Sequence, residues 1–282
     1  MIKFGVAGNS NSFYAEGNKH TIEAAKWLKS KGLDILEFSF GQGIRMSEET
    51  SRKIGEAFIQ EGIDLSIHAP YFINFANEDP EKIKNSIAYV TDSLAYLDYF
   101  GTGERLVVHP ASQGKQSREI AVDTCKSNLY KLAETLNERF PKYKVCLETM
   151  GKISQIGTVS EIADFCQIYD NFYPCIDFGH VNAREQGILK SPDDYRRIID
   201  FLFDKLPQEK VLNMHIHFSK IMYGKNGEIR HLTFEDNVYG PNFEDLAVVL
   251  REYKMTPVVI CESAGTQAED SITMKQIYLA LS

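Results

Sequence analysis

The chain has 282 residues, a formal net charge of -8, 43% hydrophobic and 25% charged residues, the composition of an ordinary globular protein. No apolar run reaches 18 residues, which excludes a helical membrane span, and five scattered cysteines without a CxxC pair argue against a disulfide framework. The N-terminus has no signal-peptide layout, so a cytoplasmic setting is expected, and the acidic balance argues against a protein that coats nucleic acid broadly.

The first strand is expected at residues 2–8, directly from the start of the chain. Ile22, Ala25, Trp27 and Leu28 then form a helical stripe before Gly32, and a second strand follows at 34–40. Ile54, Ala57 and Phe58 mark a helix before the strand at 63–70. Ile83, Ile87, Val90, Leu94 and Leu97 mark a longer helix before the strand at 105–111. Helix at 120–138 precedes strand at 144–150, and helix at 159–169 precedes strand at 173–180. Helix at 192–206 precedes strand at 212–220, helix at 243–253 precedes strand at 256–263, and a last helix covers 268–281. Eight strand–helix units without a linker or a composition shift predict one α/β domain over 1–282, a (β/α)8 TIM barrel. An open doubly wound sheet is the alternative, but no GxGxxG follows the first strand and no Walker A motif is present.

Within the strands, apolar and polar residues alternate. Met214, Ile216 and Phe218 oppose His215, His217 and Ser219, and Val145 and Leu147 oppose Cys146 and Glu148. The apolar face suits the helix layer, and the other face points into the barrel. Barrel sites are built at the C-terminal ends of the strands. There, or in the loops just beyond, lie six of the seven histidines, His20 being the exception. Gathering strand ends and loops gives His68, His109, Glu148, Asp177, His180, His215, His217, His231 and Glu262. So many imidazoles and carboxylates at one mouth suit zinc, manganese or iron, and their number exceeds the needs of one tetrahedral ion. Two or three ions would activate water and clamp a phosphate ester, whereas one ion would polarise a sugar carbonyl. Cys146, Cys175 and Cys261 are expected to be small core fillers.

Several segments resemble the endonuclease IV family of apurinic/apyrimidinic endonucleases. They are His68-Ala69-Pro70-Tyr71-Phe72-Ile73-Asn74, Val108-His109-Pro110-Ala111-Ser112, Leu147-Glu148-Thr149-Met150-Gly151, Cys175-Ile176-Asp177-Phe178-Gly179-His180, Met214-His215-Ile216-His217-Phe218-Ser219-Lys220 and Ile260-Cys261-Glu262-Ser263. The resemblance implies a zinc-dependent barrel that cleaves damaged double-stranded DNA 5′ to abasic sites in base-excision repair. It implies that His68, His109 and Glu148 hold one ion, and that Glu148 bridges to a second held with Asp177, His215 and Glu262. His180 and His231 would hold a third. Glu148 would be the catalytic centre, and Tyr71, Asn74, Lys220 and Arg230 would contact substrate. The chain departs from the family at several places, among them the segment Glu235–Gly240 and the stretch Gly41–Arg45 after the second strand. Ile229 stands where the family has an aspartate two residues before the loop histidine, so the third ion lacks its carboxylate. His217 replaces an asparagine and becomes a further candidate ligand. Asn9 and Asn11 stand where an early histidine is expected.

The alternative is a metal-dependent sugar isomerase or epimerase of the xylose isomerase-like superfamily, acting on a sugar or sugar phosphate. Glu37 with Glu148, Asp177, His215 and Glu262 would serve a one-metal proton shuttle there. A metal-binding barrel without catalysis is the third reading. A monomer without membrane association is expected in each case.

Overall fold

The computed structural model describes residues 1–281; Ser282, the last residue of the expected domain, lies outside them. The elements, in order, are β1 (Lys3–Ala7), α1 (Asn11–Ala15), a single 3-10 turn (Thr21–Glu23), α2 (Ala24–Ser30), β2 (Ile35–Ser39), α3 (Glu48–Glu61), β3 (Asp64–His68) and α4 (Pro80–Phe100). Next come β4 (Arg105–Val108), β5 (Ala111–Ser112), α5 (Arg118–Arg139), β6 (Lys144–Glu148), β7 (Gln155–Ile156), α6 (Val159–Cys166), β8 (Phe172–Asp177) and α7 (Phe178–Arg184). The chain closes with α8 (Pro192–Lys205), α9 (Gln208–Leu212), β9 (His215–Phe218), β10 (Ile221–Gly224), β11 (Gly227–His231), α10 (Phe243–Glu252), β12 (Val258–Cys261) and α11 (Gln267–Ala280).

Eight of these strands, β1-β2-β3-β4-β6-β8-β9-β12, close into a parallel barrel in chain order, with β12 returning to β1. This is the (β/α)8 architecture expected from the alternating units. The helices begin where local chemistry favours them. Ser47, Asp79 and Ser117 each accept a first-turn backbone N–H at the start of α3, α4 and α5. Thr158 and Glu161 form a reciprocal capping box at α6.

The period of two divides every barrel strand between two cores. Outward residues such as Phe4, Leu36, Ile67, Val145, Leu147, Ile216 and Val259 pack under the helices in one large cluster. Inward residues form two small apolar layers, Val107, Cys146, Tyr173 and Cys175 on one side and Ile35, Val258 and Ile260 on the other. Two residues further along the same strand faces stand His109, Glu148, Asp177, Glu37 and Glu262. The apolar layers are therefore the floor on which the polar mouth rests.

Three features depart from the sequence expectation. The strand expected at 173–180 ends at Asp177, and α7 starts with the next residue. The loop after β9 contains an antiparallel hairpin, β10–β11, with a register shift between Met222 and Tyr223. A second small sheet pairs β5 with β7. Among the described residues no helix is long and apolar enough to cross a membrane.

Candidate metal centre

Strand ends place the donors. His68 and Glu148 are the last residues of β3 and β6, His109 and Glu262 lie one residue past β4 and β12, and His215 and His217 lie on β9. Asp177 has two tasks. It ends β8 and caps α7, its Oδ1 accepting the His180 N–H at 2.7 Å. One helical turn then swings His180 back over the mouth, so the strand break is what brings these two residues together.

Glu148 is the hub. Its carboxylate, 1% exposed, has His109 Nε2 at 3.0 Å, His68 Nε2 at 3.2 Å, His180 Nδ1 at 3.3 Å and His217 Nδ1 at 3.3 Å. Four imidazoles cannot all be cationic around one buried carboxylate without strong mutual repulsion. Two ligands of a tetrahedral zinc, with bonds of about 2.0–2.1 Å, lie about 3.3 Å apart, which matches these spacings.

Among the described residues three donor groups converge at the mouth, and a fourth, Cys175, His215 and His217, lies below them. The first is His68, His109 and Glu148; the second is Glu148, Asp177, His217 and Glu262; the third is His180, Glu228 and His231. The histidines are held in the manner of metal ligands, whose second nitrogen is bound elsewhere. His68 Nδ1 donates to the Ala69 carbonyl at 2.9 Å, leaving Nε2 toward Glu148. His180 Nδ1 donates to the Thr149 carbonyl at 2.9 Å, leaving Nε2 toward Glu228 at 3.4 Å. His231 Nδ1 pairs with Ser219 Oγ at 2.8 Å. Asp177 Oδ2 is buried without a hydrogen-bond donor. The residues therefore fit bound divalent ions.

The structure assigns neighbours that sequence spacing did not. His217 stands in the second donor group with Glu148, Asp177 and Glu262, while His215 lies deeper and faces Glu37, its Nε2 3.0 Å from Glu37 Oε2. The carboxylate near His180 and His231 is Glu228, whereas Ile229 is 57% exposed. Sequence spacing does not mark Glu228, because the family pattern puts the carboxylate two residues before the histidine and Glu228 lies three before it. The signal that could have found it is Asn226-Gly227, a hairpin turn pair. Gly151 makes room for this group: a Cβ there would lie 2.7 Å from Glu228 Cβ and 2.8 Å from His180 Cδ2. The Glu228 N–H donates to the Gly151 carbonyl at 3.0 Å, tying the hairpin to the loop after β6.

Electrostatics follow from burial and crowding. Burial pushes Glu148 up, but the His109 and His217 charges hold it well below the usual carboxylate range. Burial pushes Glu262 up to about 8, with His217 opposing and Asp177 and Glu148 reinforcing the shift. Burial lowers His180, yet Asp177, Glu148 and Glu228 raise it to about 10. His217 is raised well above its usual range, against burial, by Cys175, Glu262, Glu37 and Glu148. Burial drives His215 down to about 4 despite Glu37.

The expected substrate contacts separate into two kinds. Tyr71 is 54% exposed and its ring stacks on His109, with centroids 5.3 Å apart and planes at 23°. Gly41 permits this position, since a Cβ there would lie 2.4 Å from the Tyr71 ring. Arg230 is exposed next to His231. Asn74 and Lys220, by contrast, are engaged by the protein itself. Asn74 Oδ1 accepts the N–H groups of Ala76 and Ser112, and Lys220 Nζ donates to the carbonyls of Phe234 and Asp236. Arg184, another basic residue near the mouth, donates to the carbonyls of Met150, Lys152, Ile153 and Gln155.

Residues 25–277 match the sequence model of a family described as xylose isomerase-like TIM barrel. The chain is 32% identical to an uncharacterised protein of Methanocaldococcus jannaschii over 98% of this chain and 96% of that protein. It is 29% identical to a probable endonuclease 4 of Mycoplasma genitalium over 66% of each chain. Among solved structures, 3-keto-D-glucoside 4-epimerase from E. coli superposes with a TM-score of 0.70 at 17% identity, covering 99% of this chain and 100% of the other.

Proposed function

Because this chain belongs to the xylose isomerase-like TIM-barrel family, we propose that it is a metal-dependent phosphodiesterase of the endonuclease 4 kind, cleaving DNA 5′ to abasic sites. The observation that carries this reading is Glu148 at the junction of two donor groups, with a third group closed by Glu228 beside them. His68, His109 and Glu148 would hold one ion; Glu148, Asp177, His217 and Glu262 a second; His180, Glu228 and His231 a third. Ions in such positions, zinc foremost and manganese as the other candidate, supply Lewis acidity and neutralise charge on a phosphate ester.

The protein's own contribution is orientation. Glu148 presents its two oxygens to different neighbours, Oε2 to His68 and His109 and Oε1 to His180 and His217, and so sets the spacing between the donor groups. Tyr71, exposed and stacked on His109, offers an aromatic face to an unstacked base or sugar at the mouth. Arg230 offers a cation to the phosphate backbone, the kind of contact that dominates DNA affinity. Asn74 shapes the loop that carries Tyr71.

One observation favours a second reading. Glu148, Asp177, His217 and Glu262 form a complete donor set for a single ion, which would suit a sugar isomerase or epimerase. Two measurements on the purified protein decide between them: metal content per chain by elemental analysis, and incision of a synthetic duplex carrying one abasic site. Two or more ions per chain and a single nick at the lesion are expected. A metal-replete protein that leaves the duplex uncut would sink the phosphodiesterase reading, and one ion per chain with ketose turnover would replace it.

A further inference from the structure

Beneath the mouth, Glu37 is a carboxylate that none of the three donor groups uses. It is 1% exposed, on β2, and crosses the barrel interior to β9. Its Oε1 lies 2.9 Å from His217 Nε2 and its Oε2 lies 3.0 Å from His215 Nε2. Ser66 Oγ, from β3, donates to Oε2 at 2.9 Å and fixes the carboxylate from the side. His217 and His215 are both fully buried.

A charged group this deep needs a reason, since isolated burial of a carboxylate is costly. The reason is on the other side of the His217 ring. Its Nδ1 lies 3.3 Å from Glu148 Oε1 and 3.4 Å from Glu262 Oε1, inside the second donor group. An imidazole can donate from one nitrogen and offer a lone pair from the other. Neither Glu37 Oε1 nor His217 Nε2 has an aligned hydrogen-bond partner, so the contact acts through charge: once an ion takes the place of the Nδ1–Glu148 hydrogen bond, a carboxylate 2.9 Å from Nε2 favours the proton on that nitrogen and the lone pair on Nδ1. The order of groups, carboxylate, imidazole, donor set, is that of a carboxylate–histidine–metal triad, in which the outer partner orients the ring and raises the basicity of the ligating nitrogen.

We propose that Glu37 is a positioning residue that sets the tautomer and orientation of His217 for metal binding, with Ser66 holding Glu37 by its Oε2 and His215 lying beside that same oxygen. This rests on the metal-holding role assigned to His217 above, and not on the identity of the substrate. It also gives His215 a place: it is a partner of Glu37 one layer below the ions.

The test is zinc(II) titration of the metal-free protein against a chromophoric chelator, with Glu37→Gln, Ser66→Ala and His217→Ala compared. Glu37→Gln should weaken the site containing His217 by about 10- to 100-fold, the range seen when outer-shell partners of metal ligands are lost. Ser66→Ala, a milder change for the case in which Glu37→Gln does not fold, should weaken the same site by a smaller factor. Ring 15N shifts of the zinc-loaded protein should report His217 protonated at Nε2 in the parent chain and a mixed or shifted signal in Glu37→Gln. A merely structural Glu37 would lower thermal stability in Glu37→Gln while leaving zinc affinity and the His217 signal at parent values, and that result would overturn the proposal. If His217→Ala itself leaves zinc affinity unchanged, the assignment of the donor group fails instead, and the proposal about Glu37 falls with it.

Discussion

Replacing Glu148 with glutamine keeps its volume but puts an amide among four imidazoles. It removes the one negative charge that those rings share. Cleavage should fall by more than about 100-fold, and metal content should drop by at least one ion, with far-ultraviolet circular dichroism unchanged. A variant with parent metal content and turnover would place the site elsewhere. Gly151→Ala acts on the third group. The new methyl meets Glu228 and His180 at under 3 Å, so one of them must move. The cost should be about 1–3 kcal/mol of stability together with the loss of one bound ion, checked by chemical denaturation and elemental analysis. Proton linkage gives another test. In the metal-free protein Asp177, Glu148 and Glu228 raise His180 against burial to about 10, so it is protonated at neutral pH. Binding must displace that proton. Affinity at the third group should therefore rise with pH up to about 10 and weaken as pH falls. Calorimetry in two buffers of different ionisation enthalpy should detect proton release, and binding with no dependence on buffer would contradict it. The sequence marked most of these residues by type and position. Glu228 stayed hidden because its role depends on how a hairpin twists it over His180, and the choice between His215 and His217 depends on depth along one strand face, which period-two reasoning cannot resolve.

The eight barrel strands were legible because each one alternates between a helix-facing apolar row and an inward row, and because β-branched and polar residues recur at that period. The short elements were not. The pair β10 and β11 has only four and five residues, and α7 starts on the residue that ends β8, so its helical period never separates from the strand pattern. Thr158 lies three residues before Glu161, the spacing of a capping box. In the structure Glu161 also takes a bidentate contact from Arg118, with Nε at 2.8 Å and Nη2 at 2.5 Å, which joins α5 to α6. Thr158→Ala should cost about 1 kcal/mol, read from the denaturation midpoint. A change within experimental error would mean that the Arg118 contact alone holds the start of α6.

At the scale of the whole molecule, the fold and the metal chemistry draw on the same interior. Ions that bind the folded chain and not the unfolded one stabilise it by mass action, by about 4 kcal/mol for a site held at a thousand times its dissociation constant. Exhaustive chelation should therefore lower the melting temperature, and zinc should restore it. An unchanged melting temperature would mean that the mouth stays organised by its hydrogen bonds alone. Length and the eight-fold alternation made the barrel legible from composition and pattern. The acidic balance of -8 did not reveal how much of it is turned inward, where Glu37, Glu148 and Asp177 are almost fully buried.

Arg184 has a consequence for how a substrate meets the mouth. Its guanidinium, on α7, laces together four carbonyls of the segment that follows β6. That segment begins just after Glu148, and the hairpin bearing Glu228 is pinned to it at Gly151. One wall of the mouth is thus stitched into a single stiff plate, with its backbone groups already satisfied. The β3 side of the mouth carries Tyr71, more than half exposed. A substrate would press against an unyielding anvil on the Arg184 side and be gripped from the aromatic side, so differences in substrate shape would have to be absorbed by the loop that follows β3.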